Sequence, residues 1–469
     1  MNLLELTIDT FHQALRTGRI TTAQLVRFYL ERILTYDGVL SSIICLNQNA
    51  LSQAERLDER LLMTRELVGP LHGVPVLVKD NIETEEMPTT AGSLSMAEFR
   101  SNKDADLVRR LREAGAIILA KTNLHEFAIW GESISSIKGQ TLNPYDLTRT
   151  PGGSSGGTGA ALAANFGLVG IGTDTINSIR SPSSANSLVG IRPTMGLVSD
   201  DGIVPYSHTQ DTAGPMARTV ADAAILLSVI ATQKIEEPIE LTHQPDHWRI
   251  GVLKSFFGNQ SINADVNQVM FEVLGQFDTL GVELVDVDEN IDVADLLNNV
   301  SVHLYDLVHD LNTYLEQNPT SVKSVDDILE SGLYHPGIRD NLLKARQLSV
   351  QSSEYEDRLE RRKALKEQMR QLMENSALDA LIFPHQQQLV CKVGTSQLQR
   401  NGALAAITGF PSVCVPAGFS APTPEAPIGV PIGFELFGLP YTEPKLIELA
   451  SFYEQKFPKR KPPMEDNWL

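Results

Sequence analysis

The feature that most restricts the fold of this chain is a repeated alternation of helical segments with short, continuously apolar segments. In the first half, "VPVLVK", "AIILAKT" and "LVGIGTD" lack the polar residue at every second position that a half-exposed strand would show. A helical pattern, "DADLVRRLREAG", lies between the first two and ends at Gly115. Strands that are apolar on both faces must be covered on both faces, so the pattern predicts an α/β fold with a sheet packed between helices.

The same alternation returns in the second half. "WRIGVL", "VELVDVD", "LDALIFP" and "GFPSVCVPAGF" have the pattern of strands, and "ADVNQVMFEVLGQFDTLG" has that of a helix. A charged helical segment before residue 376 carries one apolar stripe that is typical of a core-facing side. The stripe consists of Leu365, Met369, Leu372 and Met373. We predict a single domain over residues 1–469, with a variable, largely helical region at 230–375.

Charge and cysteine content restrict the partners and the compartment. The formal net charge of −19 repels phosphate backbones and anionic lipid, which argues against nucleic-acid and membrane partners. The three cysteines, Cys45, Cys391 and Cys414, are odd in number and outside any CxxC pattern, as expected in a reducing cytoplasm without disulfides or structural zinc. No segment approaches the roughly 20 apolar residues of a membrane helix, and the N-terminus lacks a signal-peptide pattern. We expect a cytoplasmic monomer or homodimer that acts on a small molecule and needs no cofactor or metal.

One short motif matches a nucleophile of a well-known hydrolase class. "GGSSG" fits the G-x-S-x-G nucleophile elbow of α/β-hydrolases, with Ser154 as nucleophile and a histidine such as His385 as its base. That motif requires a strand directly before it, whereas "NPYDLTRTP" is polar and interrupted by prolines. An esterase of this kind stays open as an alternative.

Three other features point to a different serine chemistry. Lys79 ends the apolar strand in "HGVPVLVKDN", and Ser154 lies in the glycine–serine loop "PGGSSGGTGAALAAN". Ser178 lies where the strand in "GIGTDTINSIRSP" stops and turns. A serine hydroxyl attacks a carbonyl at neutral pH only with an adjacent base, and a lysine is such a base when burial keeps it neutral. A lysine at the end of an apolar strand meets that condition.

These motifs, in this order, resemble the amidase signature family. The resemblance covers "GPLHGVPVLVKDNIET", "TTAGS", "DADLVRRLREAGAIILAKTNLHEFA", the glycine–serine segment, "SLVGIRPTMGLVSDDGIVPYSHTQDTAGPMARTVADAA" and "ITGFPSVCVPAGF". It spans most of the chain except about 230–375. It implies the family fold, a large mixed β-sheet core flanked by α-helices on both sides, and a Ser–cis-Ser–Lys triad. In that triad Ser178 is the nucleophile, Ser154 the bridging serine on a cis peptide bond, and Lys79 the base.

The resemblance also implies an oxyanion hole made by backbone N–H groups just before the nucleophile, here those of Thr175, Ile176, Asn177 and Ser178. Many family members carry glycine at both positions where this chain has Ile176 and Asn177. Every residue except proline keeps its backbone N–H, so the donors survive the change. Asn177 tolerates a left-handed conformation if one is needed there, whereas the β-branched Ile176 does not. We therefore expect a working site whose substrate choice Ile176 alters.

The substrate class is expected from residues near these motifs. Phe127, Ile129, Trp130, Gly153 and Tyr206 are candidate substrate-binding residues, and their aromatic and apolar side chains favour an apolar or aryl group. We predict an amidohydrolase that cleaves a linear amide, with aryl esters and carbamates (urethanes) as further substrates. Two alternatives besides the esterase remain: the glutaminase component of a tRNA-dependent amidotransferase, which needs partner subunits, and a non-catalytic protein with the amidase fold.

Overall fold

The computed structural model describes residues 2–233, 247–289 and 291–468. Within these ranges eleven strands form one sheet, and a separate antiparallel hairpin pairs Ile134–Ser135 with Gly139–Gln140. The strands in chain order are β1 (Ile43–Leu46), β2 (Pro75–Lys79), β3 (Ile117–Thr122), β4 (Ile134–Ser135), β5 (Gly139–Gln140), β6 (Val169–Asp174), β7 (Val189–Arg192), β8 (Thr212–Ala217), β9 (Arg249–Leu253), β10 (Glu283–Val287), β11 (Ala380–Pro384), β12 (Ser412–Phe419) and β13 (Pro431–Phe437).

Helices fill the intervals between the strands in the same described ranges. They are α1 (Ile8–Arg16), α2 (Thr22–Leu40), α3 (Ala50–Thr64), α4 (Asp106–Glu113), α5 (Gly156–Ala163), α6 (Arg180–Ala185), α7 (Val220–Ile230), α8 (Ala264–Thr279), α9 (Val293–Asp295), α10 (His303–Gln317), α11 (Val325–Ser331), α12 (Arg339–Ala345), α13 (Ser353–Asn375), α14 (Ala403–Thr408) and α15 (Glu443–Lys456). Helices α8 to α13 lie in the predicted helical region, of which residues 234–246 and 290 are outside the described residues.

The large sheet is mixed, in the order β1-β3-β2-β6-β8-β7-β12-β13-β11-β9-β10. Strand β2 pairs in parallel with both β3 and β6, and β9 pairs in parallel with β11 and β10. Consecutive side chains of a strand point to opposite faces, and Val76, Leu77 and Val78 of β2 are all fully buried. Both faces of the sheet are therefore covered, and the predicted α/β fold with a large mixed sheet between helices is confirmed.

Local sequence accounts for where these elements begin and end. Thr21 caps α2: its hydroxyl accepts the Gln24 N–H at 3.1 Å, and the Gln24 side chain accepts the Thr21 N–H at 2.9 Å. Gly115 follows α4 with φ of +94°, a conformation that glycine adopts without strain. In the described part of the chain, no helix combines the length and the apolar character needed to cross a membrane.

Candidate active site

Lys79 is the last residue of β2, and the neighbouring strand β6 ends at Asp174. The two strands are parallel, with Val78 opposite Ile171, so their carboxyl ends meet at the same edge of the sheet. This register brings Lys79 Nζ within 2.7 Å of Thr173 Oγ1 and 3.3 Å of the Thr173 carbonyl oxygen. The Lys79 side chain is fully buried there.

The remaining partner of Lys79 Nζ is Ser154 Oγ, at 2.8 Å. Among the described residues, no carboxylate lies within ion-pair distance of Lys79, so its ammonium form meets only neutral oxygens. Burial lowers the pKa of Lys79 from 10.5 to about 7, although the more distant carboxylates of Asp211 and Asp174 oppose this shift. Near neutral pH a large fraction of Lys79 is therefore unprotonated and can accept a proton from Ser154.

Ser154 lies in the glycine–serine loop before α5, and the peptide bond between Gly153 and Ser154 is cis. Ser133 holds this loop from outside. Its hydroxyl donates to the Gly152 carbonyl at 2.8 Å and accepts the Gly156 N–H at 3.0 Å. A Cβ on Gly156 would lie only 2.2 Å from Ser133 Oγ, so a larger residue at this position would displace the serine that orders the loop.

Ser178 lies in the turn between β6 and α6 and is 5% exposed. Its carbonyl accepts the N–H of Ser155 at 3.2 Å, which joins this turn to the loop that carries Ser154. The Ser178 hydroxyl makes no hydrogen bond to another described residue, and neither do the backbone N–H groups of residues 175–178. One turn thus presents a hydroxyl and several backbone donors that the described protein does not use.

A buried network of charges holds this turn in place. Arg180 donates to Asp174 Oδ1 at 3.1 Å and to the Ile176 carbonyl at 2.8 Å, and Arg192 donates to Asp174 Oδ1 at 2.9 Å. Arg180 also donates to Glu435 Oε2 at 2.6 Å. Burial opposes ionisation of Asp174, but the two guanidinium groups outweigh it and hold the pKa of Asp174 well below its usual range. Asp174 and Arg180 therefore fix the shape of the turn through a paired, buried charge cluster.

Ile176 and Asn177 adopt ordinary backbone conformations. Neither has a positive φ, so the turn does not need the left-handed conformation that Asn177 was expected to tolerate. The Ile176 side chain is 7% exposed and belongs to a buried apolar cluster that includes Ile291 and Val293. The Asn177 Nδ2 group is buried and has no hydrogen-bond partner among the described residues.

The five predicted substrate-binding residues have different surroundings. Phe127, Ile129 and Tyr206 are at most 3% exposed and belong to a buried apolar cluster that also contains residues of α10 and α12. Trp130 lines a cavity of about 500 Å³. Gly153 forms the cis bond to Ser154, the predicted bridging serine. Their contact with a substrate stays a prediction.

Several residues of the site were not identified from the sequence. Thr173 follows the glycines of "GIGTD", and its position directly before the turn was a usable signal. Asn81 Nδ2 donates to Thr173 Oγ1 at 3.1 Å, and its position two residues after Lys79 was another such signal. Ser133 and Arg192 carry no local signal, because each acts through partners that only the fold brings near. Asp211 accepts hydrogen bonds from the Thr175 hydroxyl at 2.5 Å and from two backbone N–H groups, and so anchors the loop next to this turn.

The esterase alternative lacks the arrangement that it needs among the described residues. No strand directly precedes Ser154 there, since β5 ends at Gln140. His385 is fully buried, its Nδ1 lies 2.6 Å from Glu435 Oε1, and it makes no hydrogen bond to Ser154. Lys79, and not a histidine, is the basic side chain in contact with Ser154. The segment "GGSSG" therefore lacks both the preceding strand and the histidine base that a nucleophile elbow needs.

A family model described as Amidase matches residues 24–447. The chain is 32% identical to mandelamide hydrolase of Pseudomonas putida, over 97% of this chain and 92% of that protein. It is 31% identical to the A subunit of glutamyl-tRNA(Gln) amidotransferase of Prochlorococcus marinus, over 96% of this chain and 97% of that protein. Among solved structures, native peptide amidase from Stenotrophomonas maltophilia superposes with a TM-score of 0.87 at 33% identity, covering 99% of each chain.

Proposed function

This chain belongs to the Amidase family and is a hydrolase of carbon–nitrogen bonds in amides, and we propose that it cleaves a linear amide through an acyl-serine intermediate on Ser178. In this proposal Ser154 is the bridging serine and Lys79 the general base. The observation that carries it is the fully buried Lys79, whose Nζ lies 2.8 Å from Ser154 Oγ and whose pKa is lowered by burial to about 7.

Attack begins with neutral Lys79. Its Nζ takes the proton of Ser154 Oγ, Ser154 takes the proton of Ser178 Oγ, and the Ser178 oxygen bonds to the substrate carbonyl carbon. The carbonyl π electrons move onto oxygen, which becomes an oxyanion. The backbone N–H groups of Thr175, Ile176, Asn177 and Ser178 are the donors for it, and this role is supported because they donate to no acceptor in the described protein.

Collapse of the tetrahedral intermediate reverses the proton path. The C–N bond breaks, the leaving nitrogen takes a proton from Ser154, and Ser154 takes one from the Lys79 ammonium. A water molecule then attacks the acyl-serine ester, with the same relay accepting its proton. The carboxylic acid leaves, and the Ser178 oxygen recovers a proton. Atoms and charge balance over one amide and one water, with no other reactant.

For the substrate, we propose an apolar or aryl amide, with ester and carbamate turnover as side reactions. The aromatic Trp130, which lines the cavity of about 500 Å³, supports this proposal. Similarity to mandelamide hydrolase and to a peptide amidase supports an amide as the substrate.

We also propose that residues 1–469 act as one domain, as a cytoplasmic monomer or homodimer without nucleic-acid or membrane partners. The three unpaired cysteines support the cytoplasmic part.

The glutaminase component of a tRNA-dependent amidotransferase is the second candidate. It is favoured by the full-length similarity to the A subunit of such an enzyme, which is close to that found for mandelamide hydrolase. The two candidates differ in what the purified chain does alone. Release of ammonia or an amine from simple aryl or peptide amides without partner subunits supports the first candidate. Release of ammonia from glutamine only after partner subunits are added supports the second.

Covalent labelling tests the proposed mechanism directly. The protein is treated with a serine-directed fluorophosphonate and digested, and the adduct is located by mass spectrometry in wild type, Lys79→Ala and Ser178→Ala. We expect an adduct on Ser178 that weakens strongly in Lys79→Ala. Ser228→Ala is the matched control, since Ser228 is exposed on α7 and far in sequence from the site. An adduct on Ser154 would mean that Ser154, and not Ser178, is the nucleophile. Labelling that is as strong in Lys79→Ala as in wild type would contradict the role of Lys79 as the base.

A further inference from the structure

Arg400 is a partly buried cation whose charge interacts with Glu132 without direct contact. Its guanidinium donates no hydrogen bond and forms no ion pair with any residue in the described part of the chain. The guanidinium contacts the ring of Trp130, with its central carbon 4.7 Å from the ring centroid. Both side chains line the cavity of about 500 Å³. A guanidinium held over an aromatic face does not use its N–H groups in that contact, so they can bind an acceptor.

Two carboxylates lie near this cavity, and neither forms an ion pair with Arg400. Glu132 Oε1 accepts the Gln397 N–H at 2.9 Å, and Glu132 lies outside ion-pair distance of Arg400. Asp292 also lines the cavity, but it caps α9 and accepts the Ala294 N–H at 2.8 Å. Neither carboxylate neutralises the guanidinium by direct contact.

The cavity lies near the loop of the bridging serine and near the apolar cluster that contains Ile176. A Cβ built on Gly131, the residue after Trp130, would lie 3.6 Å from Arg400 Nη1 and 4.0 Å from the Gly153 carbonyl oxygen. Arg400 and the loop of the bridging serine are therefore both close to one glycine. On the other wall, Ile291 and Val293 line the cavity and share a buried cluster with Ile176.

Resting on the function proposed above, we propose that Arg400, which lies over the Trp130 ring, is a subsite for a substrate carboxylate. The preferred substrate is then a linear aryl or apolar amide that also carries one free carboxylate a few bonds from the scissile carbonyl. The planar guanidinium offers two parallel N–H groups, which match a carboxylate better than a neutral or cationic group. The rest of the cavity wall, with Gln397, Gln399 and Leu398, accommodates the uncharged part of such a substrate.

A pair of matched anilides tests this subsite. Glutaryl p-nitroanilide carries the carboxylate, and isoheptanoyl p-nitroanilide replaces it with an isopropyl group of similar shape. A charge-assisted hydrogen bond contributes a factor of about 10 to 100 in binding. We expect the wild type to favour the glutaryl compound in kcat/KM by that factor. The Arg400→Met variant should lose the preference, and Arg400→Lys should retain part of it because the charge remains.

Lys392→Met is the matched control. Lys392 is exposed and lies eight residues before Arg400, so the variant loses the same charge near the same loop without touching the cavity lining. The ratio of the two kcat/KM values should stay at its wild-type value in this variant. A ratio that falls equally in Lys392→Met and Arg400→Met would mean that overall charge, and not the subsite, sets the preference.

A binding measurement distinguishes failure of the proposed subsite from failure of the proposed catalysis. Calorimetry measures glutaranilic acid binding to Ser178→Ala with and without Arg400→Met. Arg400-dependent binding together with no turnover of any anilide by the wild type would support the subsite and contradict the proposed catalysis. Turnover of both anilides with an unchanged ratio in Arg400→Met would overturn the subsite and leave the catalysis intact. Binding that does not depend on Arg400 would also overturn the subsite.

Discussion

The lowered pKa of Lys79 links the stability of this protein to its activity. Burial takes this pKa from 10.5 to about 7 in the folded chain. Between those values the unfolded chain binds a proton that the folded chain lacks, so the free energy of unfolding rises with pH. Below about pH 7 both states are protonated and the full penalty of burying the ammonium is present. Integrated from about pH 7 to about pH 9, Lys79 should add about 2 kcal/mol to the free energy of unfolding.

Lys79→Met isolates this contribution, because methionine keeps much of the side-chain length and does not titrate. Urea unfolding of both proteins at several pH values gives the difference in their free energies of unfolding. The free energy of unfolding of the wild type should rise by about 2 kcal/mol relative to that of Lys79→Met over this range. The contributions of other titrating groups are common to both proteins and cancel in the difference. The difference between wild type and Lys392→Met, which removes an exposed lysine, should stay constant.

The same group should set the rate. The logarithm of kcat/KM for an anilide should rise with a slope of one against pH up to about pH 7 and level off above it, because neutral Lys79 is the proposed base. Lys79→Met should lose about 10²–10⁴-fold in kcat/KM. A stability difference that does not change with pH, or a rate that rises only near the pKa of an ordinary lysine, would refute a buried, neutral Lys79.

Three further perturbations follow from the contacts of the site. Thr173→Val removes the 2.7 Å hydrogen bond to Lys79 Nζ, and kcat/KM should fall about tenfold as the base loses its anchor. Ser133→Ala removes two hydrogen bonds that order the glycine–serine loop; thermal unfolding should show a loss of about 1–3 kcal/mol and fluorophosphonate labelling should slow. Arg180→Met leaves the buried Asp174 short of a partner and should cost about 3–5 kcal/mol in urea unfolding, whereas Arg370→Met, on the exposed face of α13, should cost less than about 1 kcal/mol.

Sequence patterns located several strands and their ends, but not β1, β7 or β8. Continuous apolar runs located β2, β3 and β6, because this signal depends only on near neighbours in the chain. For the same reason Lys79 could be placed at a strand end and Ser178 at a turn. Because β2 and β6 pair in parallel, their carboxyl ends lie at the same edge of the sheet.

The surroundings of each side chain came only from the tertiary structure. Phe127, Ile129 and Tyr206 fitted a pocket or a core equally well by sequence, and the fold buries them in a cluster with α10. Lys79 meets Thr173, which is 94 residues away in the chain, and Arg400 meets Trp130 across an even longer separation. Periodicity is set by neighbours a few residues apart, whereas burial, pKa and charge pairing depend on groups that are distant in sequence. The sequence by itself therefore determined where the reactive groups sit in their elements, and the packing of those elements decided their charge state and partners.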